Sequence, residues 1–372
     1  MIELQMLSVA IFVSLSCSLL GVFLVLRKMS MQIDAISHTV LLGIVVAFMI
    51  VLDLNSPLLI FGATLMGVIT VFLTEVFIKA KKTDEESAVG VVFPLLFSIA
   101  VIIITLYFGG VHLDVDSVLL GKLEFSIFEQ VEVFGVEIGP TMLYIMMLVF
   151  IMNAIFIKVF FKELKIVSFD YALAASLGFM PAIIHYLLMA FISLTAVTAF
   201  NAVGSVLVIA LMIGPAATAL LLTKELKHTL LASGIIGFVN SVLGFFIAIG
   251  PFKGEVTISG MIATQTLITF LLVLVFSPYR GIITTLVKRH NQKLDFAFTI
   301  LVLHIGTHEK EFGEEHEILR SNIHYELKWS QKKFDYQLQQ GLNKNIFLIK
   351  NDEIHLTKEG WNYYKSKKRE LS

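Results

Sequence analysis

The chain has 372 residues, of which 57% are hydrophobic and 15% charged, and its mean hydropathy is +0.85. These values exclude an ordinary water-exposed globular domain, whose charged share is about 25%, and the net charge of −1 excludes a global field suited to nucleic acid. The single cysteine, Cys17, excludes an internal disulfide and any multi-thiolate metal or iron–sulfur site within one chain, and reads as a small apolar core residue.

Apolar runs long enough to cross about 30 Å of hydrocarbon as helices fall at 6–26, 33–52, 57–78, 88–108, 140–160, 181–200, 203–222, 229–249 and 259–276. They predict an all-α polytopic membrane protein with eight or nine transmembrane helices. The count depends on whether one of the runs interrupted by Gly or Pro is re-entrant. The first run has no basic stretch before it and is followed by Arg27-Lys28, so it reads as a retained helix, not a signal peptide. Residues 1–287 hold 13 Lys and Arg and 17 Asp and Glu. Eleven of the basic residues (Arg27, Lys28, Lys79, Lys81, Lys82, Lys158, Lys162, Lys165, Lys224, Lys227, Arg280) fall at one set of alternate helix ends. Retention of basic residues on the cytoplasmic side then places the N-terminus outside and the C-terminal part in the cytoplasm. Lys122 and Lys253 fall opposite, among Asp53, Asp114, Asp116, Glu124, Glu129, Glu132, Glu137 and Glu255. An acidic outer mouth of this kind concentrates cations, although any one of these carboxylates is equally explained as solvated loop.

The second run begins with an acid and an imidazole four residues apart, Asp34 and His38, a spacing that puts both on one helix face. Charge within a membrane helix costs about 2.5–3.5 kcal/mol or more, so such a pair faces a cavity, a pathway or a partner. Carboxylate oxygen together with imidazole nitrogen suits Mn, Fe or Zn, whereas Mg or Ca favours oxygen alone. A second arrangement fits the same spacing: an interfacial N-cap aspartate with a histidine bonded to it, since Asp34 follows Lys28 closely. His185 and His228 lie near predicted cytoplasmic ends and His112 outside, and all three read as interfacial.

The stretch Met29-Ser30-Met31-Gln32-Ile33-Asp34-Ala35-Ile36-Ser37-His38-Thr39-Val40-Leu41-Leu42-Gly43 resembles the M-S-L-x-G-D-A-x-S-H-A-V-L-P-G signature of the integral permeases of bacterial manganese, zinc and iron ATP-binding-cassette importers. Ile33, Thr39 and Leu42 depart from it, and none of the three removes a potential ligand. Further ordered similarities lie at Leu113 to Gly121, Ser168 to Gly178, Ala202 to Ala219 and Ser277-Pro278-Tyr279-Arg280-Gly281. Glu255 to Gly260 lacks the proline common before the last helix of that family. The resemblance implies that Asp34 and His38 line the site of a transported divalent metal, with no permanently bound cofactor. It further implies a multi-pass protein of the bacterial inner membrane, working as a homodimer or a pair of related permeases with cytoplasmic ATP-binding subunits and an extracytoplasmic metal-binding lipoprotein.

No phosphate-cradling G-x-x-x-x-G-K-[ST] loop is present, so the chain reads as a permease without an ATPase site of its own. Phe161-Lys162-Glu163-Leu164-Lys165 instead leads into a small-residue segment that has the form of a short docking helix. Asp170 can favour its N-terminal end and Gly178 can terminate it. By resemblance it is the coupling helix that seats in the ATPase subunit, carried by Phe169, Asp170, Ala172, Ala174, Ala175 and Gly178. Its plain alternative is a connecting helix.

From Lys288 the composition is that of a soluble domain, which gives a division into 1–287, a transmembrane metal permease domain, and 288–372. The predicted order of three helices, a hairpin (346–349 and 353–356) and a final helix resembles a small α+β winged helix. Ser330 to Gly341 contains only Lys332 and Lys333, opposed by Asp335, so a nucleic-acid partner is not expected and a regulatory or subunit-contact role is. His304, His308, Glu311, Glu315 and His316 suggest metal sensing, with solvated polar surface as the common alternative. The whole reads as the membrane subunit of an importer for Mn first and Zn or Fe next. Two rivals are an ion-gradient-driven metal transporter and a metal-responsive membrane receptor.

Overall fold

The computed structural model describes residues 2–53, 56–81, 83–107, 123–126, 128–133, 136–252, 255–311, 320–350 and 353–371. They form two compact units, Met1–Gly281 and Ile282–Ser372. The composition shift at Val287 lies inside the continuous helix Ile282–Glu311, because helical hydrogen bonding is local and passes through a change of solvent.

The first unit is built from α1 (Ile2–Leu26), α2 (Ser30–Val51), α3 (Pro57–Lys81), α4 (Glu85–Tyr107), a 3₁₀ turn (Leu123–Phe125), and an antiparallel hairpin of β1 (Gln130–Val133) and β2 (Val136–Pro140). It continues through α5 (Thr141–Val159), α6 (Phe161–Phe169), α7 (Tyr171–Ser176), α8 (Pro181–Val203), α9 (Ser205–Leu222), α10 (Leu226–Ile249) and α11 (Ile258–Phe276). Nine of these helices, α1–α5 and α8–α11, are long and apolar enough to cross a membrane, counted among the described residues. The chain is a polytopic membrane protein because hydrocarbon offers backbone groups no partner, leaving the helix as the way to satisfy them.

Helix α1 is the centre of the bundle, packing against α5, α8, α9 and α10, while α2 packs on α3 and α4, and α3 on α8. Lipid tails are as apolar as leucine, so association rests on close packing and on hydrogen bonds between helices. Asn153 donates to Thr195 at 2.9 Å, Ser193 to the Thr64 carbonyl at 3.0 Å, and Ser233 to the Ser18 carbonyl at 2.9 Å. Each such bond is worth about 0.6–2 kcal/mol. The crossing of α2 and α3 needs glycine on both sides: a Cβ at Gly43 of α2 would strike the Gly62 carbonyl of α3, and one at Gly62 would strike Gly43 in turn. Large apolar side chains such as Phe61, Ile102, Leu148 and Leu272 point outward, as a lipid-facing surface requires.

The second unit comprises α12 (Ile282–Glu311), α13 (Arg320–Glu326), α14 (Gln331–Asn343), the antiparallel pair β3 (Phe347–Lys350) and β4 (Glu353–Leu356), and α15 (Lys358–Leu371). Phe298, Leu301, Val302 and Ile305 form a stripe at helical spacing on α12 and bury with Ile323, Phe334, Leu338, Phe347, Ile354 and Tyr364. Thr357 caps α15 by accepting the Gly360 N–H at 3.0 Å. Glu309 accepts from the Leu356 N–H at 3.3 Å and lies 2.8 Å from His355 Nδ1, which ties the hairpin to α12. The expected turn residues Asn351 and Asp352 lie outside the described residues.

Candidate functional site

Helix α2 has Met29 as its N-cap, with no side-chain capping bond, so Asp34 is an interior helical residue and not a cap. His38 follows one turn later, and its Nε2 lies 3.8 Å from Asp34 Oδ1. The neighbours Ile33, Ala35, Ile36, Ser37, Thr39 and Val40 are buried, whereas the side chains of His38 and Asp34 are 37% and 48% exposed. The pair therefore looks off the packed side of α2. The His38 ring rests on Phe93 of α4, with centroids 4.9 Å apart, and meets Phe97 edge-on at 6.1 Å. Ligands held at 2.0–2.2 Å by one ion sit about 3–3.5 Å apart when adjacent. A small rotation of either side chain brings both donors to one ion.

The three departures from the permease signature have local accounts. Ile33 is fully buried in the core, and Leu42 keeps the backbone N–H that a proline would remove. The hydroxyl of Thr39 is buried 2.7 Å from that of Thr70 on α3, and Thr39 donates to the Ala35 carbonyl at 3.0 Å.

A second polar cluster joins four elements. Arg27, just past α1, donates from Nε to Ser168 Oγ of α6 at 3.0 Å, and its Nη1 lies 3.1 Å from His185 Nδ1 of α8. Arginine can only donate, so Nδ1 accepts and the ring proton sits on Nε2. That nitrogen lies 2.6 Å from Glu75 Oε1 of α3, off the N–H axis, and Tyr186 donates to Glu75 Oε2 at 2.8 Å. Burial lowers the Arg27 pKa to about 10, which leaves the group charged near neutrality. Arg27, Glu75, Lys79, Ser168, His185 and Tyr186 line a cavity of about 550 Å³. The guanidinium beside His185 makes this a charge-balanced joint, not a cation site. His185, expected at the interface, is 8% exposed, with its Nδ1 held by Arg27 and its Nε2 close to the Glu75 carboxylate inside the bundle. The sequence carried one signal for the cluster: Glu75 stands within an apolar run, four residues before Lys79. His228 is exposed beside Glu225.

The docking segment is two helices. Helix α6 buries Leu164 and Val167. Asp170 then caps α7 by accepting the Leu173 N–H at 2.9 Å. Gly178, at φ +82°, closes α7 with a paired terminus in which the Phe179 N–H bonds the Ala174 carbonyl and the Gly178 N–H bonds the Ala175 carbonyl, both at 3.1 Å. Ala174 is buried, while Phe169, Tyr171, Leu173, Leu177 and Met180 are exposed, as are Ala172 and Ala175.

On the other side of the bundle, Glu124 accepts the Ile258 N–H at 2.9 Å, which places a carboxylate at the N-terminus of α11. The expected motif Leu113 to Gly121, with Asp114 and Asp116, lies outside the described residues, as do His112, Lys122 and Lys253. In the second unit His304 and His308 share one face of α12 and meet Glu326 of α13. The Glu311 side chain, Glu315 and His316 fall outside the described residues.

Residues 2–277 match the family model described as the ABC 3 transport family. The chain is 41% identical over 295 residues to the manganese transport system membrane protein MntD of Bacillus subtilis (strain 168), covering 79% of this chain and 99% of that one. It is 37% identical over 357 residues to the zinc transport system membrane protein TroD of Treponema pallidum (strain Nichols), covering 96% of each. The second match is longer than the first unit and so extends into the second. Among solved structures, PsaBC from Streptococcus pneumoniae in complex with Fab aligns with a TM-score of 0.61 at 31% identity, over 74% of this chain and 92% of that one.

Proposed function

The chain belongs to the ABC 3 transport family, and from that premise we propose that it is the membrane subunit of an ATP-driven importer that moves a divalent transition metal past Asp34 and His38 into the cell. The observation that carries this reading is the Asp34–His38 pair: two donors 3.8 Å apart on a membrane helix, half-exposed while their neighbours are buried. Manganese is the first cargo and zinc or iron the next, in keeping with manganese-transport and zinc-transport relatives and with an oxygen–nitrogen donor set. Two side-chain ligands, completed by water or by a second permease copy, hold the ion loosely enough to release it. No permanently bound cofactor takes part.

Energy enters from separate cytoplasmic ATP-binding subunits that receive the α6–α7 surface at Phe169, Asp170, Ala172, Ala175 and Gly178, while Ala174, expected among them, is buried and holds α7 against the bundle. The exposed apolar side chains of this surface have the character of a docking face. A displacement of α6 pulls on Ser168, hence on Arg27, and Arg27 begins the short connection that leads into α2 and its metal ligands. That route couples docking to an alternation between outward-open and inward-open states. An extracytoplasmic lipoprotein delivers the metal to the acidic side. The N-terminus lies outside, and the second unit, a winged-helix-like domain, lies in the cytoplasm.

The reading is tested by ATP-dependent uptake of Mn, Zn and Fe in proteoliposomes holding the complete complex. Asp34→Asn and His38→Ala are each expected to lower uptake at least tenfold at unchanged assembly. Native flux and selectivity in both variants would overturn the assignment. Uptake that continues without ATP would instead point to a gradient-driven transporter.

A further inference from the structure

We propose that the second unit carries its own binding site for a divalent transition metal ion, formed by His304 and His308 of α12 and Glu326 of α13. The two imidazoles lie one helical turn apart with ring centroids separated by 4.6 Å. Glu326 Oε2 is 2.8 Å from His304 Nε2 and 3.9 Å from His308 Nε2, and one donor atom from each of the three residues falls within 4.8 Å of the other two. Adjacent ligands on an ion at ordinary bond lengths are about 3–3.5 Å apart, so these separations bracket what a bound ion needs. Among the described residues no other group of three histidine, cysteine or carboxylate side chains meets that spacing.

The chemistry sets the class of ion. Two neutral imidazole nitrogens and one carboxylate favour manganese, iron or zinc over magnesium or calcium, which prefer oxygen throughout. The histidine side chains are 20% and 33% exposed and Glu326 49%, so the site is walled on the protein side and open to water, which fills the remaining coordination positions. Binding requires both imidazoles neutral and the carboxylate ionised. An ion at this place replaces the His304–Glu326 hydrogen bond, and each neutral imidazole then carries its proton on the ring nitrogen that does not face the ion.

The site also bridges two elements. Helix α13 has seven residues, and Ile323 anchors it in the core of the unit. An ion held by α12 and by Glu326 adds a second anchor at the end of α13, next to the Leu327–Trp329 turn. Metal occupancy thus stiffens the entry to α14. This inference does not depend on the transport reading, since none of its ligands belongs to the membrane unit.

Both tryptophans of the chain, Trp329 and Trp361, lie in the second unit, so intrinsic tryptophan fluorescence reports on that unit alone. The test uses the purified full-length chain carrying Asp34→Asn and His38→Ala, titrated with Zn²⁺ by fluorescence and with Co²⁺ by visible absorbance. One saturable equivalent, with Co²⁺ bands displaced by Zn²⁺, is the expected result. His304→Ala, His308→Ala and Glu326→Gln are each expected to weaken binding at least tenfold. Glu326→Gln keeps the shape of the side chain, so loss there at an unchanged circular dichroism spectrum separates ligation from folding. No saturable signal, or equal affinity in all three variants, overturns the proposal. Either result leaves the uptake experiment with its own independent outcome.

Discussion

Glu75 offers the sharpest residue-level test, because it is the carboxylate that balances Arg27 and His185 inside the bundle. Glu75→Gln keeps the shape but removes the negative charge that faces His185 and accepts from Tyr186. A charge-assisted bond of this kind is worth about 1.5–3 kcal/mol, so the variant is expected to melt at lower temperature and to lose ATP-driven uptake while its coupled ATPase still turns over. Arg27→Lys is expected to fail in the same way, since one ammonium cannot reproduce the forked contact to both Ser168 and His185. By contrast, Thr39→Ala leaves Thr70 its bond to the Met66 carbonyl at 2.8 Å, and the expected loss in a thermal melt is within about 1 kcal/mol. The Asp34–His38 pair was legible in the sequence because its two members sit on one helix turn. The Arg27–Glu75–His185 cluster was not. Its members come from the turn after α1 and from two helices far apart in sequence, and no local pattern announces a contact made by packing.

At the scale of elements, the bilayer made the spans readable: any segment inside it must be helical, so hydropathy alone locates the nine candidate helices. Their ends moved by a few residues where polar side chains continue the helix into water, as Glu3 and Gln5 do at the start of α1. Helix α7 shows both terminal signals in working form, an aspartate cap and a glycine in the left-handed region. Gly178→Ala places a Cβ in that region at a cost of about 1–2 kcal/mol, although the surrounding space is open. The expected outcome is a frayed α7 end and reduced stimulation of the partner ATPase by the permease, with Asp34 and His38 undisturbed. Metal-binding affinity measured beside ATPase activity distinguishes this from damage to the pathway. In the second unit, the sequence paired His304 with His308 but pointed to Glu311, Glu315 and His316 as companions. Glu326 was missed because it reaches the pair through the fold of α13 and not through helical spacing.

For the whole molecule, the division at Gly281 has its own consequence. The second unit has a separate apolar core, so shortening the chain after Gly281 is expected to leave the membrane unit able to insert and to carry metal. The same truncation removes both tryptophans and with them every fluorescence response to zinc. A shortened chain that fails to insert would show that the second unit supports the first.

The crossing of α2 and α3 at Gly43 and Gly62 leaves no side-chain cushion between the two backbones. Rods in such contact cannot roll independently, and they travel as a single beam. One rod carries Glu75 and the other carries His38, so on the proposed reading a push at the Arg27–Glu75 joint reaches the proposed ion site as a tilt of rigid scaffolding. A bulky wedge, Gly62→Leu, would splay the beam and slow the carrier without touching any group that meets the metal.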